Sequence, residues 1–414
     1  MIAVHEINDP EKLPALGPLW TDLLECTPGA SFFHSLQWLQ IYWKHFGARK
    51  RLRVLVVKDG STAIGILPLV VRVSGRFEPV RVLAYPLDDW GNYYGPIGPD
   101  PQTTLVAGLH HIRRTPRDWD FIELAWVDGL ADAGRVKLAL DNAGFHAVCE
   151  TCRMSAIVNL AQYPSWDAYL DSRTKNRRKD LRRKEKRLAE RGTVKFARYR
   201  TGTTDIAQVD PRWDVYEICE TLSRASWQGH AKGKALGKAS ERAYYRDCHL
   251  AACRLGGVAM GLLFVDERPV AFNYDYCYRG YITAYEGGYD PAFSHDGIGT
   301  ITDARSLADS FERGDHTVDL GPGFVDYKRN WLTHQRPIYC YTYFPPTSPA
   351  AQTVRAKRAL LRWWRTRVAK ANGPCGAHAE PQAIMSPAEI DKDTPDRGRQ
   401  RDESDTQQPA SCRQ

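Results

Sequence analysis

The sequence predicts an α/β (α+β) protein made of two copies of one unit. Three observations carry that reading. The 414 residues are enough for two ordinary domains and a tail. Two β-rich runs joined by an acidic turn occur twice, as "LRVLVVKDGSTAIGILPLVV" and as "GLLFVDERPVAFNYDYCY". After each hairpin the chain supplies another strand, a helix and an Asp-containing strand, with Asp120 in the first copy and Asp319 in the second.

Along the chain, "FFHSLQWLQIYWKHFG" spaces Phe33, Trp38, Ile41, Tyr42 and Phe46 for one face of a helix, with Gly47 as its stop. "RLRVLVV" and "AIGILPLVVRV" read as a hairpin through "KDGS". "VRVLAYPL", "DFIELAWV" and "HAVCETCRMSAIVNL" continue as strands, separated by helices expected at 102–114 and 131–143. From Tyr163 the pattern restarts: a helix or helix pair ending at Gly192, and another helix at 213–228. The soft "GHAKGKALGKAS" follows, expected to be a mobile loop, and then the second hairpin. "YITAYEGGYD" leads into "PAFSHDGIGT", a helix to Phe311 and the strand "TVDLG". Past Phe344 a linker, a basic helix and a polar, Pro-rich tail are expected, the tail without a core to fold around. The divisions are 1–160, 161–345 and 346–414.

The start "MIAVHEINDPEKLPALG" lacks the apolar centre of a signal peptide, and no run approaches the roughly 18 apolar residues a membrane span needs. A cytoplasmic protein is expected, possible membrane contact being confined to its surface. The ten cysteines are scattered, with one C-x-x-C at Cys149–Cys152, and the histidines form no ligand constellation, so no metal is expected. The net charge of +8 is concentrated in two places. Arg173–Arg191 holds eleven bases and three acids, and Arg355–Lys370 seven bases and no acid. The first stretch offers only Leu181 and Leu188 to lean on the protein. Its remaining face is either simply solvated or receives an anionic partner, an acyl carrier protein or tRNA. The second, with Leu360, Leu361, Trp363 and Trp364, suits either an anionic membrane surface or docking on its own domain.

Chemistry is concentrated in the second copy. In Ser294–Thr300 two glycines precede a helix, whose first-turn N–H groups and dipole favour an anion. The plainer alternative has Asp296 capping that helix and Gly297 easing the turn. The equivalent stretch of the first copy, "GPIGPDPQTT", is broken by proline. Downstream, "DLGPGFVDYKRNW" takes the chain from a strand through a rigid Gly-Pro-Gly bend to Tyr327 and Lys328.

The ordered series "K-N-R-R-K", "D-x-x-P-V-A", "Y-x-x-x-x-S-x-x-G-x-G" and "D-L-G-x-G-x-x-x-Y-K-x-x-W" resembles the two-lobed branch of the GNAT acyltransferases. Within it the sequence looks like the CelD/BcsL-like proteins of polysaccharide biosynthesis, related to the FemAB aminoacyl transferases. The resemblance spans about Trp20 to Tyr343 and is strongest from Tyr163 to Trp331. It implies two tandem GNAT-like lobes, each a mixed, mostly antiparallel sheet flanked by helices. It also implies acyl transfer from acetyl-CoA or another acyl-CoA to an amine, on a small-molecule or sugar acceptor, a polysaccharide precursor or an amino acid. The family's pyrophosphate loop maps onto Ser294–Gly299, so Gly297, Ile298, Gly299 and Thr300 are the expected cofactor contacts. Ser294 stands where the family has a longer side chain, and Asp296 adds a negative charge, so a carrier protein or aminoacyl-tRNA, as in a FemAB-like transferase, is an alternative donor, and a non-catalytic scaffold in polysaccharide assembly is the alternative to an enzyme. Direct attack needs a carboxylate to take the amine's proton, a backbone N–H for the oxyanion and an acid for the thiolate. Asp319 and Glu286 are the expected carboxylates, Tyr327 the acid, and Lys328 and Asp275 substrate contacts.

Overall fold

The computed structural model describes residues 1–75, 79–201, 209–226, 236–323 and 326–371. Twelve strands among them are β1 Ile2–Ile7, β2 Lys50–Asp59, β3 Thr62–Ser74, β4 Val80–Ala84, β5 Phe121–Asp128, β6 Val148–Asn159, β7 Val194–Arg200, β8 Val258–Val265, β9 Arg268–Tyr278, β10 Tyr281–Tyr289, β11 Thr317–Pro322 and β12 His334–Tyr343. They form one sheet in the order β1-β2-β3-β4-β5-β12-β6-β11-β10-β9-β8-β7.

That order reads alike from both edges. Five strands of one half, β1 to β5, are completed by β12; the five from the other edge, β7 to β11, are completed by β6. The sixth strand of each set is therefore supplied by the other half of the sequence. β12 pairs antiparallel with both β5 and β6, and β6 pairs antiparallel with β11. Each set has one parallel pair, β4 with β5 and β10 with β11. A parallel pair needs a crossover, and the helices Pro101–Arg114 and Ile298–Glu312 provide the two crossovers.

Both repeated hairpins close with two-residue turns, Gly60-Ser61 between Asp59 and Thr62, and Asp266-Glu267 between Val265 and Arg268. Asp266 and Glu267 both take positive φ, 48° and 60°, as a primed turn matched to strand twist requires. The Asp266 carboxylate accepts from the Thr193 N–H at 2.8 Å, offsetting part of that strain. The helix expected at 131–143 is instead two pieces, Gly129–Asp132 and Arg135–Asn142, because Ala133 and Gly134 both have positive φ. Of the helix or helix pair expected from Tyr163, the pair forms: Trp166–Asp171 and the basic helix Lys175–Ala189. Strands β1, β7 and β12 and the helix Arg242–Arg254 were not anticipated. The expected mobile loop at 229–240 lies outside the described residues up to 235, and so does the tail from 372.

The aromatic helix Leu36–Phe46, capped by Ser35, and the turn Phe32–His34 before it belong to a cluster of rings that spans the two halves. Phe32 stacks on Tyr276 at 4.9 Å, Phe46 on Trp90 at 4.5 Å, and Trp90 meets Tyr244 at 4.8 Å. Such rings bury large areas and fix relative orientation. The long helix Pro349–Ala371 covers Val80, Val82, Ala84 and Phe121 with Ala351 and Val354.

Candidate active site

The site forms where the parallel pair β10 and β11 comes apart. The two strands pair only at Tyr281–Thr317, Ile282–Val318 and Thr283–Asp319, yet β10 runs on to Tyr289 and β11 to Pro322. On its other edge β10 shifts register between Ala284 and Glu286, so Tyr285 is an extra residue opposite β9. A bulge bends its strand and leaves backbone groups out of the ladder. In the resulting split lies a cavity of about 600 Å³.

The cavity reaches both faces of the sheet. On one face lies the helix Ile298–Glu312, with Gly297, Ile298, Gly299 and Thr300 all in the cavity wall. Gly297 has φ +70° and gives the helix no side-chain cap. A Cβ there would also stand 2.6 Å from the Lys184 side chain, so the tight approach suits glycine alone. The first-turn amides of a helix have no partner within it and carry the positive dipole end. Lys184 adds a cation beside them, its Nζ 3.3 Å from Thr300 Oγ1 and 2.7 Å from Asp180. Asp296 does not cap the helix: its buried carboxylate meets Arg191 at 2.9 Å and Arg187 at 3.5 Å. The negative charge next to the glycines is thereby neutralised by the basic helix.

On the other face stands Glu286. Its Oε1 accepts from Ser223 Oγ of the helix Trp213–Ala225, and its Oε2 from the Leu236 N–H at 2.6 Å. Burial pushes the carboxyl up to about 7, against the lowering effect of those two donors. Asp275 and Asp303 line the cavity on the helix Ile298–Glu312 side. Burial raises Asp275 to about 6, opposed by Arg198 at 2.7 Å. Asp303, held by Asn273 Nδ2 at 3.2 Å, is also raised by burial to about 6. Tyr327, 42% exposed, also lines the cavity. Lys328 is buried in the wall and donates to the carbonyls of Gly321 and Pro322 at 3.1 and 2.9 Å, tying down the bend after β11.

Of the residues singled out in the sequence, Gly297–Thr300, Glu286, Asp275, Tyr327 and Lys328 share this one cavity. Asp319 does not line it. Its fully buried carboxylate accepts from Ser155 Oγ of β6 at 2.5 Å, the Gly321 N–H at 2.8 Å and Tyr281 OH of β10 at 3.0 Å, so it joins β11 to both neighbours. Sequence reasoning missed Asp303, Ser223, the Leu236 amide and the bulge at Tyr285. One signal was present: Gly299, Asp303, Ser306 and Ser310 form a small and polar stripe along one helix face, and all four line the cavity.

Near the end of the first half's parallel pair lies a pocket of about 80 Å³, lined in part by Tyr85, Tyr93 and Tyr94. That half's crossover helix is already capped, since Asp100 accepts from both the N–H and the hydroxyl of Thr103. A carboxylate occupies there the place left open at Gly297. Among the described residues no group of His, Cys, Asp and Glu is arranged to hold a metal ion.

Residues 175–329, which contain this cavity's wall, match the acetyltransferase (GNAT) domain family. No curated protein matches the chain in sequence. Among solved structures, the chain is similar to FemX at 10% identity and TM-score 0.53, with 83% of this chain and 97% of that one covered. It is similar to L-PGS from Bacillus licheniformis at 16% identity and TM-score 0.51, covering 86% and 99%. A third likeness is the C-terminal domain (DUF2156) of an Agrobacterium fabrum protein designated a lysylphosphatidylglycerol synthetase, at 11% identity and TM-score 0.52, covering 83% and 96%. At these identities the likeness is one of fold, and it extends over both halves.

Proposed function

Taking the chain as an acyltransferase built around a GNAT acetyltransferase domain, we propose that its second half moves an acyl group from a thioester, in the first place acetyl-CoA, to an amine. One observation carries this reading. A single cavity joins an uncapped helix start on one side of a split sheet to a carboxyl with a pKa of about 7 on the other. The donor's phosphates lie on the amides of Ile298 and Gly299 beside Lys184, and its thioester threads the split. The amine arrives protonated from the other face, and Glu286 takes its proton. The freed nitrogen attacks the carbonyl carbon, and a backbone N–H at the bulge holds the oxyanion. The tetrahedral adduct collapses, the carbon–sulfur bond breaks, and the nitrogen's second proton passes to the departing thiolate, Tyr327 relaying it by giving up its own hydroxyl proton and taking that one in return. Asp275 stays with Arg198 and shapes the wall, as does Lys328. Asp319 has no part in the chemistry and holds β11 to β6 and β10.

The acceptor is an amine of a sugar, a polysaccharide precursor or an amino acid, in keeping with the CelD/BcsL-like pattern of motifs. The lobe boundaries at 160 and 345 and a cytoplasmic location belong to the same proposal. A second reading, aminoacyl-tRNA as donor, is favoured by the basic helix lying against the glycine turn with Lys179, Arg182, Arg183 and Lys186 exposed. Calorimetry decides between them. Micromolar binding of acetyl-CoA, lost in Gly299→Glu, is expected. Salt-sensitive tRNA binding without acetyl-CoA binding replaces the first reading by the second.

A further inference from the structure

The helix Pro349–Ala371 has two faces with opposite commitments. At about 100° per residue, Ala351, Val354, Arg358 and Arg362 share one side. That side is docked: Ala351 is fully buried, Arg358 meets Glu123 at 2.6 Å, and Arg362 pairs with Glu150. Leu360, Trp363, Trp364 and Val368 lie on the opposite side. They are 64%, 52%, 57% and 37% exposed. Both exposed tryptophans among the described residues are here. Arg367 lies over the Trp363 ring at 4.3 Å, Lys357 is exposed on the same side, and Arg355–Lys370 contains no acid.

We propose that this outward face seats the protein on an anionic lipid bilayer. Two ion pairs fix the helix to β5 and β6, so the face cannot turn inward without breaking them. The apolar residues form a patch where a soluble surface ordinarily scatters them. Indole rings have an apolar body and a hydrogen-bonding edge suited to the headgroup level. The cations beside them match the negative potential of acidic lipids. No helix among the described residues is long and apolar enough to cross a membrane, so the contact is peripheral. The active cavity lies in the other half, so this contact does not depend on the proposed chemistry.

The test is flotation of the full chain with vesicles of phosphatidylcholine, with and without phosphatidylglycerol. Binding is expected only with phosphatidylglycerol, weakening as salt rises. The double variant Trp363→Ser/Trp364→Ser keeps every cation, and its affinity should fall by about tenfold or more. Brominated lipids should quench part of the tryptophan fluorescence of the wild type and less of the variant's. Absence of binding to acidic vesicles, or equal binding by the variant, overturns the proposal. A self-association that the double variant abolishes also overturns it, because a second copy of the chain would then cover the face.

Discussion

Replacing Glu286 by Gln separates catalysis from folding, because the two effects have opposite signs. Gln keeps the size of the side chain and an acceptor for the Leu236 amide but cannot take a proton. A positioned base contributes about 10²–10⁴-fold, so kcat/KM should fall by that factor, equivalent to about 3–5 kcal/mol of barrier. Wild-type activity should rise about tenfold per pH unit below an inflection near 7, where burial places the carboxyl, and the variant should lack that inflection. Stability moves the other way. The folded carboxyl holds its proton more tightly than the unfolded chain, whose value is 4.5. The ionised form therefore costs stability: nothing below pH 4.5, progressively more from there to about 7, and the full amount above. The full amount is about 1–3 kcal/mol after allowing for the solvent that reaches this partly buried group. Gln removes the cost, so the variant should be more stable than wild type above pH 7 in urea unfolding, and gain nothing below pH 4.5. Thiol release from acetyl-CoA with a panel of amines reads the activity. Full activity, an unchanged inflection, or a variant less stable at pH 8 refutes the reasoning.

The glycine turn gives a paired prediction. Gly297→Ala should cost about 1–2 kcal/mol for the left-handed backbone alone, and raise the donor KM as Lys184 is displaced. Gly299→Ala, whose Cβ would meet only the Tyr289 ring at 3.7 Å, should leave unfolding within about 1 kcal/mol of wild type. Asp319→Ala removes a buried carboxylate with three donors and should lose about 2–4 kcal/mol in urea unfolding, while the folded fraction keeps the pH inflection near 7. Dividing the chain after residue 160 should leave neither piece soluble alone, because β12 lies between β5 and β6; co-expressed pieces should assemble, as size exclusion would show.

How far the sequence reveals this structure depends on whether the determining contacts are local. The hairpins are legible because strand, two-residue turn and strand lie within twenty or so residues. The glycine turn is legible because its chemistry is contiguous from Gly297 to Thr300. The exchange of β6 and β12 is not legible, since β12 meets β6 across more than 170 residues, as in Ile157 with His334. Asp319 misleads for a related reason. It lies in the last register pair before β10 and β11 part, and one position along the strand decides between cavity and core. Glu286 lines the cavity, but its raised pKa depends on burial and is opposed by Ser223 and Leu236 from distant segments. No spacing rule around Glu286 could supply them.

Hydrogen exchange of the full chain with and without acetyl-CoA tests whether the donor binds in the split between β10 and β11. Exchange should slow in residues 285–300 and 318–323, around the split and the glycine turn, with no change at 82–96 or 121–136 in the first half. Slowed exchange at those first-half segments, or none at 297–300, contradicts that placement.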